Sequence, residues 1–159
     1  MLRLVVMGVS GCGKTTLGAA LAARLGVAFV DADDLHPPAN RAKMAAGVAL
    51  TDADRWPWLD LVAEALHDRA PVVVACSALR RAYRDRLREA GGEGVRFLHL
   101  AAPREVIAAR LAARRGHFAA ASLLDSQYAT LEPPGPGEAL TLDARLPPAA
   151  LLAEALARL

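Results

Sequence analysis

The sequence has 159 residues, of which 54% are hydrophobic and 4% aromatic, and its formal net charge is +2. This length predicts one domain, residues 1–159, with an aliphatic core. The small net charge argues against a nucleic-acid partner. Two isolated cysteines, Cys12 and Cys76, form no disulfide framework and favour a reducing, cytoplasmic location. The apolar start MLRLVVMG is too short for a membrane span, so no membrane partner is expected.

Short apolar runs alternate with helical patterns along the chain, which is typical of a parallel α/β sheet. The pattern predicts strands at 2–7, 27–32, 71–76, 95–100 and 139–144. It predicts helices at about 14–25, 39–47, 53–69, 79–90, 103–115 and 147–158. Right-handed crossovers bring the carboxyl ends of all strands to one edge, where ligands bind in such folds. We therefore expect the functional side chains at that edge.

The first strand leads into GVSGCGKT (8–15), which fits the pattern G-x-x-x-x-G-K-[ST] between a strand and a helix. Its glycines allow successive N–H groups to turn towards phosphate oxygens, and the start of the next helix adds positive charge. Lys14 would reach the β- and γ-phosphates of a nucleoside triphosphate, and the Thr15 hydroxyl would bind Mg²⁺. The loop residues predicted to contact the nucleotide are Gly8, Ser10, Gly11, Cys12, Gly13, Lys14, Thr15 and Thr16.

The second strand ends in DADDLHPPANRAKM (31–44), which is rich in carboxylates and cations. Asp31 and Asp33 stand two residues apart, so both side chains leave the same face of the strand. One carboxylate can serve a metal ion, directly or through water, and the other can accept the proton of an attacking hydroxyl. A turn or helix-capping role is the alternative for both. His36 and Lys43 either line a polar pocket or lie at the solvated surface.

Further polar candidates follow the second and third strands. Asp52 or Asp54 is predicted to cap the helix at 53–69, and Arg55 is a candidate to bind a carboxylate or phosphate through its guanidinium group. Ser77 follows the third strand and could reach a metal-bound water or a substrate hydroxyl. Arg80 and Arg84 lie one helical turn apart and can share a face.

The helix at 103–115 carries the last group of candidates. Its inward stripe continues into Arg114, which would face the phosphates where apolar packing ends. Arg110 flanks this position and is a candidate to cover the base or the phosphates. The stretch that follows could close as a lid and exclude water. The alternative is that these cations only stabilise the negative end of the helix dipole.

Five sequence blocks carry a resemblance to a known family: MGVSGCGKTT, FVDADDLHPPANRAKMAAGVALTDADRWPWL, CSALRRAYRDRLR, RLAARRGHF and LLDSQYATLEPP. In these blocks, which reach from residue 7 to about 134, the chain resembles the gluconokinase family of small P-loop sugar-acid kinases. The resemblance implies an α/β, three-layer P-loop kinase fold related to shikimate kinase, with a five-stranded parallel sheet, helices on both faces and a small lid. It implies a phosphate loop at 8–15, a substrate-binding region at about 33–60 and a lid at about 114–130.

The resemblance also implies an activity, namely transfer of the γ-phosphate of ATP to the 6-hydroxyl of D-gluconate in the presence of Mg²⁺. Asp33 would orient or deprotonate that hydroxyl, and Asp31 and Thr15 would attend the metal. The implied catalytic residues are Lys14, Asp33 and Arg114. The candidate substrate-binding residues are Asp33, His36, Lys43, Arg55, Ser77, Arg80, Arg84 and His117. The resemblance allows a homodimer.

The chain departs from the family pattern at two places, and two other readings stay open. Cys12 replaces a serine in the phosphate loop, and the run AAAS after GHF lacks the larger residues expected in a lid. Another small-molecule kinase of this fold, shikimate kinase first, is the alternative within enzymes, although CSAL argues against it. A catalytically silent nucleotide-binding regulator is the alternative from another class, although Lys14, Thr15 and Asp33 argue against it.

Overall fold

The computed structural model describes residues 1–113 and 118–159, and for residues 118–122 it describes the backbone. Its five parallel strands are β1 (Arg3–Met7), β2 (Ala28–Asp31), β3 (Val72–Ala75), β4 (Arg96–Ala101) and β5 (Leu140–Asp143). They form one sheet in the order β2-β3-β1-β4-β5. Every strand boundary lies within one residue of its predicted position. The predicted five-stranded parallel sheet is therefore confirmed.

The helices of the described residues are α1 (Lys14–Leu25), α2 (Pro38–Ala45), α3 (Asp52–Asp68), α4 (Arg81–Ala90), α5 (Arg104–Ala112), α6 (Phe118–Thr130) and α7 (Pro148–Arg158). A short 3-10 helix, Ala32–Leu35, follows β2. The N-cap residue of α3 is Thr51 and not Asp52 or Asp54, although Asp54 takes part in the cap. Its side chain accepts from the Asp54 N–H, and the Asp54 carboxylate accepts from the Thr51 N–H. This reciprocal pair satisfies two N–H groups that an open helix start would leave unpaired.

The central strand β1 is buried on both faces of the sheet. Leu4 and Val6 pack into a cluster with residues of α1, α5 and α7, whereas Val5 and Met7 pack into a second cluster with residues of α3 and α4. All four side chains are fully buried. Because successive side chains of a strand point to opposite faces, a continuous apolar run is what a strand between two helical layers requires. The predicted three-layer arrangement is confirmed.

The sheet register brings the strand ends that carry polar residues to one edge. Ala75 pairs with Val6 of β1 and with Asp31 of β2. The phosphate loop leaves β1 at this edge, and Ser77 follows β3 two residues after Ala75.

Among the described residues, no helix is both long enough and apolar enough to cross a membrane.

Candidate active site

The phosphate loop connects β1 to the start of α1 in a conformation that needs glycine. Gly13 precedes α1 with a φ of 101°, which lies in the left-handed region that side chains disfavour. A Cβ at Gly8 would lie 2.8 Å from the backbone oxygen of Leu100. Lys14 is the first residue of α1, and its Nζ donates to the Val9 backbone oxygen at 3.1 Å. The loop therefore places a cation beside a helix N-terminus, an arrangement suited to phosphate.

The side chain of Cys12 packs below this loop. It is 1% exposed and belongs to the same core cluster as Ile107 and Leu111 of α5. Only its backbone is therefore available for the predicted contact with phosphate. The replacement of serine by cysteine at this position places a small apolar group in the core.

Asp31 links the end of β2 to the phosphate loop. Its Oδ2 accepts from the Thr15 hydroxyl at 3.0 Å, and its Oδ1 accepts from the backbone N–H of Asp33 at 3.0 Å. The second bond caps the 3-10 helix, so Asp31 combines the predicted site position with the capping role. A hydroxyl and a carboxylate are hard oxygen donors, which fits Mg²⁺. Within the described residues no group of three or more His, Cys, Asp or Glu residues could hold a metal; Mg²⁺ bound with a nucleotide needs fewer protein ligands because phosphates and waters supply the rest.

Asp33 and Lys14 line the same cavity at this edge of the sheet. The surrounding protein desolvates the Asp33 carboxylate and raises its pKa above the ordinary value. The Lys14 ammonium opposes this effect, whereas Asp31 and Asp34 add to it. Asp33 as a whole residue is exposed at the protein surface and lines the cavity. A carboxylate with a raised pKa beside a phosphate-binding lysine can accept a proton from a hydroxyl group.

His36 forms part of the cavity wall as a neutral ring. Nδ2 of Asn40 donates to the Asp54 backbone oxygen at 2.9 Å and contacts Nδ1 of His36 at 3.1 Å. Because a carbonyl oxygen only accepts, this Asn40 atom must be the nitrogen, so Nδ1 of His36 accepts and the ring proton lies on Nε2. Burial, together with the positive charges of Arg41 and Arg55, lowers the pKa of His36 to about 4. His36 can therefore donate a hydrogen bond at neutral pH without carrying a charge.

Trp58 supports both His36 and the loop that carries Asp33. Its ring stacks on His36 with a centroid distance of 4.1 Å, and its Nε1 donates to the Ala32 backbone oxygen at 2.7 Å. The side chain is 2% exposed and also lines the cavity. Because α3 supplies this buried anchor, the packing of α3 on the sheet fixes the position of the 3-10 helix.

Arg55 is the α3 cation at the cavity wall. Its Nη1 donates to the Tyr83 hydroxyl at 3.1 Å, and the Tyr83 hydroxyl donates to Asp52. The Arg55 side chain is 12% exposed. A guanidinium group held in this way retains further N–H donors, which suits a carboxylate ligand. Ser77 lines the same cavity, as its position after β3 predicts.

Two predicted substrate-binding cations lie away from the lining of this cavity. Nζ of Lys43 forms an ion pair with Asp54 at 2.7 Å, and Nη1 of Arg80 lies 3.4 Å from Asp52. Hydrogen bonds from Lys43 and the Thr51 N–H lower the pKa of Asp54 to about 2, since they favour its charged form. Both cations therefore pair with acids at the start of α3.

The prediction that Arg84 binds substrate needs correction, because its side chain is enclosed in the protein. It is 1% exposed, and its Nε donates to Glu138 at 2.7 Å. Its other donors bind the backbone oxygens of Ala78, Leu79 and Glu132 at 2.9–3.0 Å. Arg84 therefore holds the loop after β3 to the segment after α6. The predictions for Arg114 and His117 lie outside the described residues.

The carboxylate of Glu138 completes this buried network. Burial opposes its charge, but hydrogen bonds from Arg84, the Gly135 N–H and Arg88 lower the pKa of Glu138 to about 2. Ala78 has a φ of 45°, a left-handed conformation that costs a residue with a Cβ about 1–2 kcal/mol. Because Arg84 binds the carbonyl oxygens of Ala78 and its neighbour, the network helps to hold the strained backbone beside Ser77.

A second cavity lies on the other side of the phosphate loop. Its lining includes Gly13, Thr16 and Arg110 on one part and Ala144, Leu146 and Leu151 on another. Arg110 donates from Nη2 to the Ala144 backbone oxygen. The mainly apolar lining and the Arg110 cation suit a nucleotide base next to its phosphates. The segment after β5 was missed in the sequence, although β5 ends at the edge where ligands are expected.

The described residues also add cavity-lining side chains that the sequence did not predict. Leu123, Ser126 and Gln127 reach the cavity that contains Asp33 from α6, and Met44 and Leu50 reach it from α2 and the segment that follows. The block LLDSQYATLEPP marks α6 as part of the family resemblance, but its periodicity does not indicate which residues face a ligand. Only the packing of α6 across the sheet edge identifies them.

Known proteins resemble this chain in both sequence and structure. A family model described as AAA domain matches residues 4–134. A gluconokinase of Gluconobacter oxydans (strain 621H) is 51% identical over 141 residues, which cover 85% of this chain and 78% of the relative. The chain belongs to the gluconokinase family. A crystal structure of a gluconokinase from Sinorhizobium meliloti 1021 is similar along 98% of this chain and 90% of its own, with a TM-score of 0.91 and 48% sequence identity.

Outside the gluconokinase family the likeness extends to the fold alone. Shikimate kinase from Aquifex aeolicus vf5 superimposes with a TM-score of 0.56 over 99% of this chain and 95% of its own. The sequence identity is 17%. The shared architecture confirms the predicted fold class and says nothing of the acceptor.

Acidification from pH 6.5 to pH 4 is expected to lower the free energy of unfolding of this gluconokinase-family chain. Burial and the positive charge of Arg84 lower the pKa of His99 to about 4. The pKa of His36 is also about 4, for the reasons given above. Above pH 6.5 the two imidazole rings are neutral in both the folded and the unfolded chain. Between pH 6.5 and pH 4 the rings bind protons in the unfolded chain but stay neutral in the folded chain, which favours unfolding. Each ring then removes at most about 1.4 kcal/mol per pH unit. Urea unfolding at several pH values measures the slope.

His99 provides the matched test of this pH dependence, because it lies outside the cavity that contains Asp33. Replacing His99 with glutamine should reduce the slope between pH 6.5 and pH 4 without removing it, since His36 still contributes. A free energy of unfolding that is constant over this range in the unmodified chain would contradict the prediction.

Proposed function

We propose that the protein phosphorylates D-gluconate, transferring the γ-phosphate of ATP in line to the 6-hydroxyl and giving 6-phospho-D-gluconate and ADP. The observation that carries the proposal is the shared cavity of Lys14 and Asp33, one from the phosphate loop and the other from the loop after β2. A phosphate-binding cation and a carboxylate base in one cavity are the parts that phosphoryl transfer to a hydroxyl requires. Membership of the gluconokinase family supports gluconate as the acceptor.

The phosphate loop is proposed to hold the triphosphate. The N–H groups at the start of α1 and the Lys14 ammonium would bind its oxygens. Thr15 and Asp31, joined at 3.0 Å, would hold Mg²⁺ directly or through water. When bound, Mg²⁺ offsets the negative charge of the phosphates. Arg110 and the second cavity would hold the base, which adds Ala144, Leu146 and Leu151 to the predicted nucleotide contacts.

Asp33 is proposed to orient the 6-hydroxyl and to accept its proton as the bond to phosphorus forms. Burial raises the pKa of Asp33, which makes its carboxylate a stronger base, and the Lys14 ammonium favours its ionised form. Nε2–H of His36 would donate to another hydroxyl of gluconate. Arg55 would bind the gluconate carboxylate, because it is the cation of the described cavity lining besides Lys14.

The remaining predictions complete the proposal. Ser77 would bind a gluconate hydroxyl or a metal-bound water. Lys43 and Arg80 would bind the acceptor only after leaving their ion pairs with Asp54 and Asp52. Arg114 would stabilise charge on the transferred phosphate, and His117 would bind substrate, within a lid at about 114–130. We further propose a cytoplasmic enzyme, consistent with two buried free cysteines, and a homodimer, which sedimentation of the purified protein would test.

The experiment is a purified-protein assay with ATP, Mg²⁺ and a panel of acceptors. We expect ADP release that depends on gluconate, with one phosphorylated product whose phosphorus couples to the 6-methylene protons. Equal or faster turnover of shikimate would instead favour the shikimate kinase alternative. Nucleotide binding without acceptor-stimulated ADP release would favour a silent regulator. Either result would overturn the proposed function.

A further inference from the structure

One hydrogen bond joins α6 to the phosphate loop across the candidate active site. The backbone N–H of Ser10 donates to Oε1 of Gln127 at 2.6 Å, although 117 positions separate the two residues in the chain. Both residues line the cavity that also contains Lys14 and Asp33. A side chain of α6 thus lies at the junction between the proposed phosphate and acceptor positions.

This bond determines which atoms of the Gln127 carboxamide remain available. Because an N–H group only donates, the atom that faces Ser10 must be the carboxamide oxygen, and Nε2 keeps two N–H donors. In the part of the chain that the structure describes, no protein acceptor is bound to those donors. The residue is half-buried in the cavity wall. A partly desolvated donor that lacks a protein partner gains most from a ligand acceptor.

We propose that Gln127 is a specificity-determining residue whose Nε2 group donates hydrogen bonds to hydroxyl oxygens of the acceptor. Ser10 holds the carboxamide oxygen, so the amide plane is preorganised and the donors are offered at a defined place. Asp33 only accepts hydrogen bonds when ionised, and Gln127 supplies the donor that a hydroxylated acceptor also needs. The inference rests on the proposed function in taking the acceptor to be a polyhydroxylated acid.

Two variants of Gln127 distinguish the role of its Nε2 donor group from the role of its Oε1 acceptor. Gln127→Met keeps the length of the side chain and removes both polar groups. Gln127→Glu keeps an oxygen for the Ser10 N–H but has no N–H donor when ionised. Asp125→Asn is the matched control, because Asp125 lies on the same helix and pairs with Arg104 at the exposed surface. Thermal unfolding of each variant shows whether the fold is retained.

The kinetic readout is the KM for the acceptor against the KM for ATP. Each variant is assayed with the acceptor that the unmodified protein turns over fastest and with deoxy analogues of that acceptor. We expect both Gln127 variants to raise the acceptor KM about tenfold. In Gln127→Met the KM for ATP should change by less than about threefold, and discrimination against one deoxy analogue should be lost. Asp125→Asn should leave both KM values unchanged.

The outcomes are distinct. An unchanged acceptor KM in Gln127→Glu or in folded Gln127→Met would overturn the donor role, as would retained discrimination against every deoxy analogue. An unmodified protein that turns over a different hydroxylated acid in place of gluconate would overturn the proposed function only. The test of Gln127 would then proceed with that acid and would still decide the inference.

Discussion

Replacing Asp33 with asparagine is expected to lower kcat for gluconate phosphorylation by about 10²–10⁴-fold, the usual contribution of a positioned general base. Asparagine keeps the size of the side chain and can still bind a hydroxyl group, but it cannot accept its proton. The raised pKa of Asp33 and its place beside Lys14 are the reasons for expecting a loss in the chemical step. The KM for ATP should change by less than about threefold, because the phosphate loop remains intact.

Asp34 offers the matched control for this prediction. Asp34→Asn removes one carboxylate from the same 3-10 helix, at an exposed position outside the cavity lining. It should leave kcat within about twofold of the unmodified protein. Lys14→Met should instead impair both kcat and ATP binding. If Asp33→Asn retained kcat, or lost ATP binding as severely as Lys14→Met, the assignment of Asp33 to the acceptor would be wrong.

Replacing Arg84 with methionine should lower the free energy of unfolding by about 3–5 kcal/mol, as expected when one partner of a buried ion pair is removed. Glu138, whose side chain is 9% exposed, would lose its closest cation, and three backbone oxygens would lose their donors. Denaturant unfolding monitored by tryptophan fluorescence measures the change.

Arg86 on the same helix is the control for Arg84. Its guanidinium pairs with Asp60 at 2.7 Å, but both side chains are about half exposed, so Arg86→Met should lower the free energy of unfolding far less than Arg84→Met. The double variant Arg84→Met/Glu138→Gln should recover part of the lost stability, because no uncompensated charge then stays buried. A stable Arg84→Met protein with a greatly raised KM for gluconate would restore the original prediction that Arg84 binds substrate.

The phosphate loop and the paired acids illustrate what local sequence can predict. The loop motif specifies its own backbone through glycines and the residues around Lys14, so a strand on one side and a helix on the other are enough to recognise it. Asp31 and Asp33 were predicted to share one face of a strand, but β2 ends at Asp31 and Asp33 lies in the 3-10 helix that follows. Their position at the sheet edge was nevertheless found, since Asp31 contacts Thr15 at 3.0 Å and Asp33 lines the cavity. The apolar runs likewise predicted the strands to within one residue.

The arginines show where that reasoning stops. Arg55, Arg80 and Arg84 were all predicted to bind substrate. In the structure Arg55 reaches the cavity, Arg80 pairs with Asp52 near the surface, and Arg84 is enclosed. The difference arises from partners such as Glu138, which lies 54 positions from Arg84. No periodicity of a single helix contains that information.

By itself, therefore, the sequence determined the strands, every helix of the described residues except α6, the phosphate loop and the carboxylates at the end of β2 and after it. These features depend on interactions among residues close in the chain. The tertiary structure alone decided that α6 brings Gln127 to Ser10 and that Arg84 supports the loop after β3. The physical reason is that a long polar side chain takes its role from the donors and acceptors it meets, and chain packing determines which ones those are.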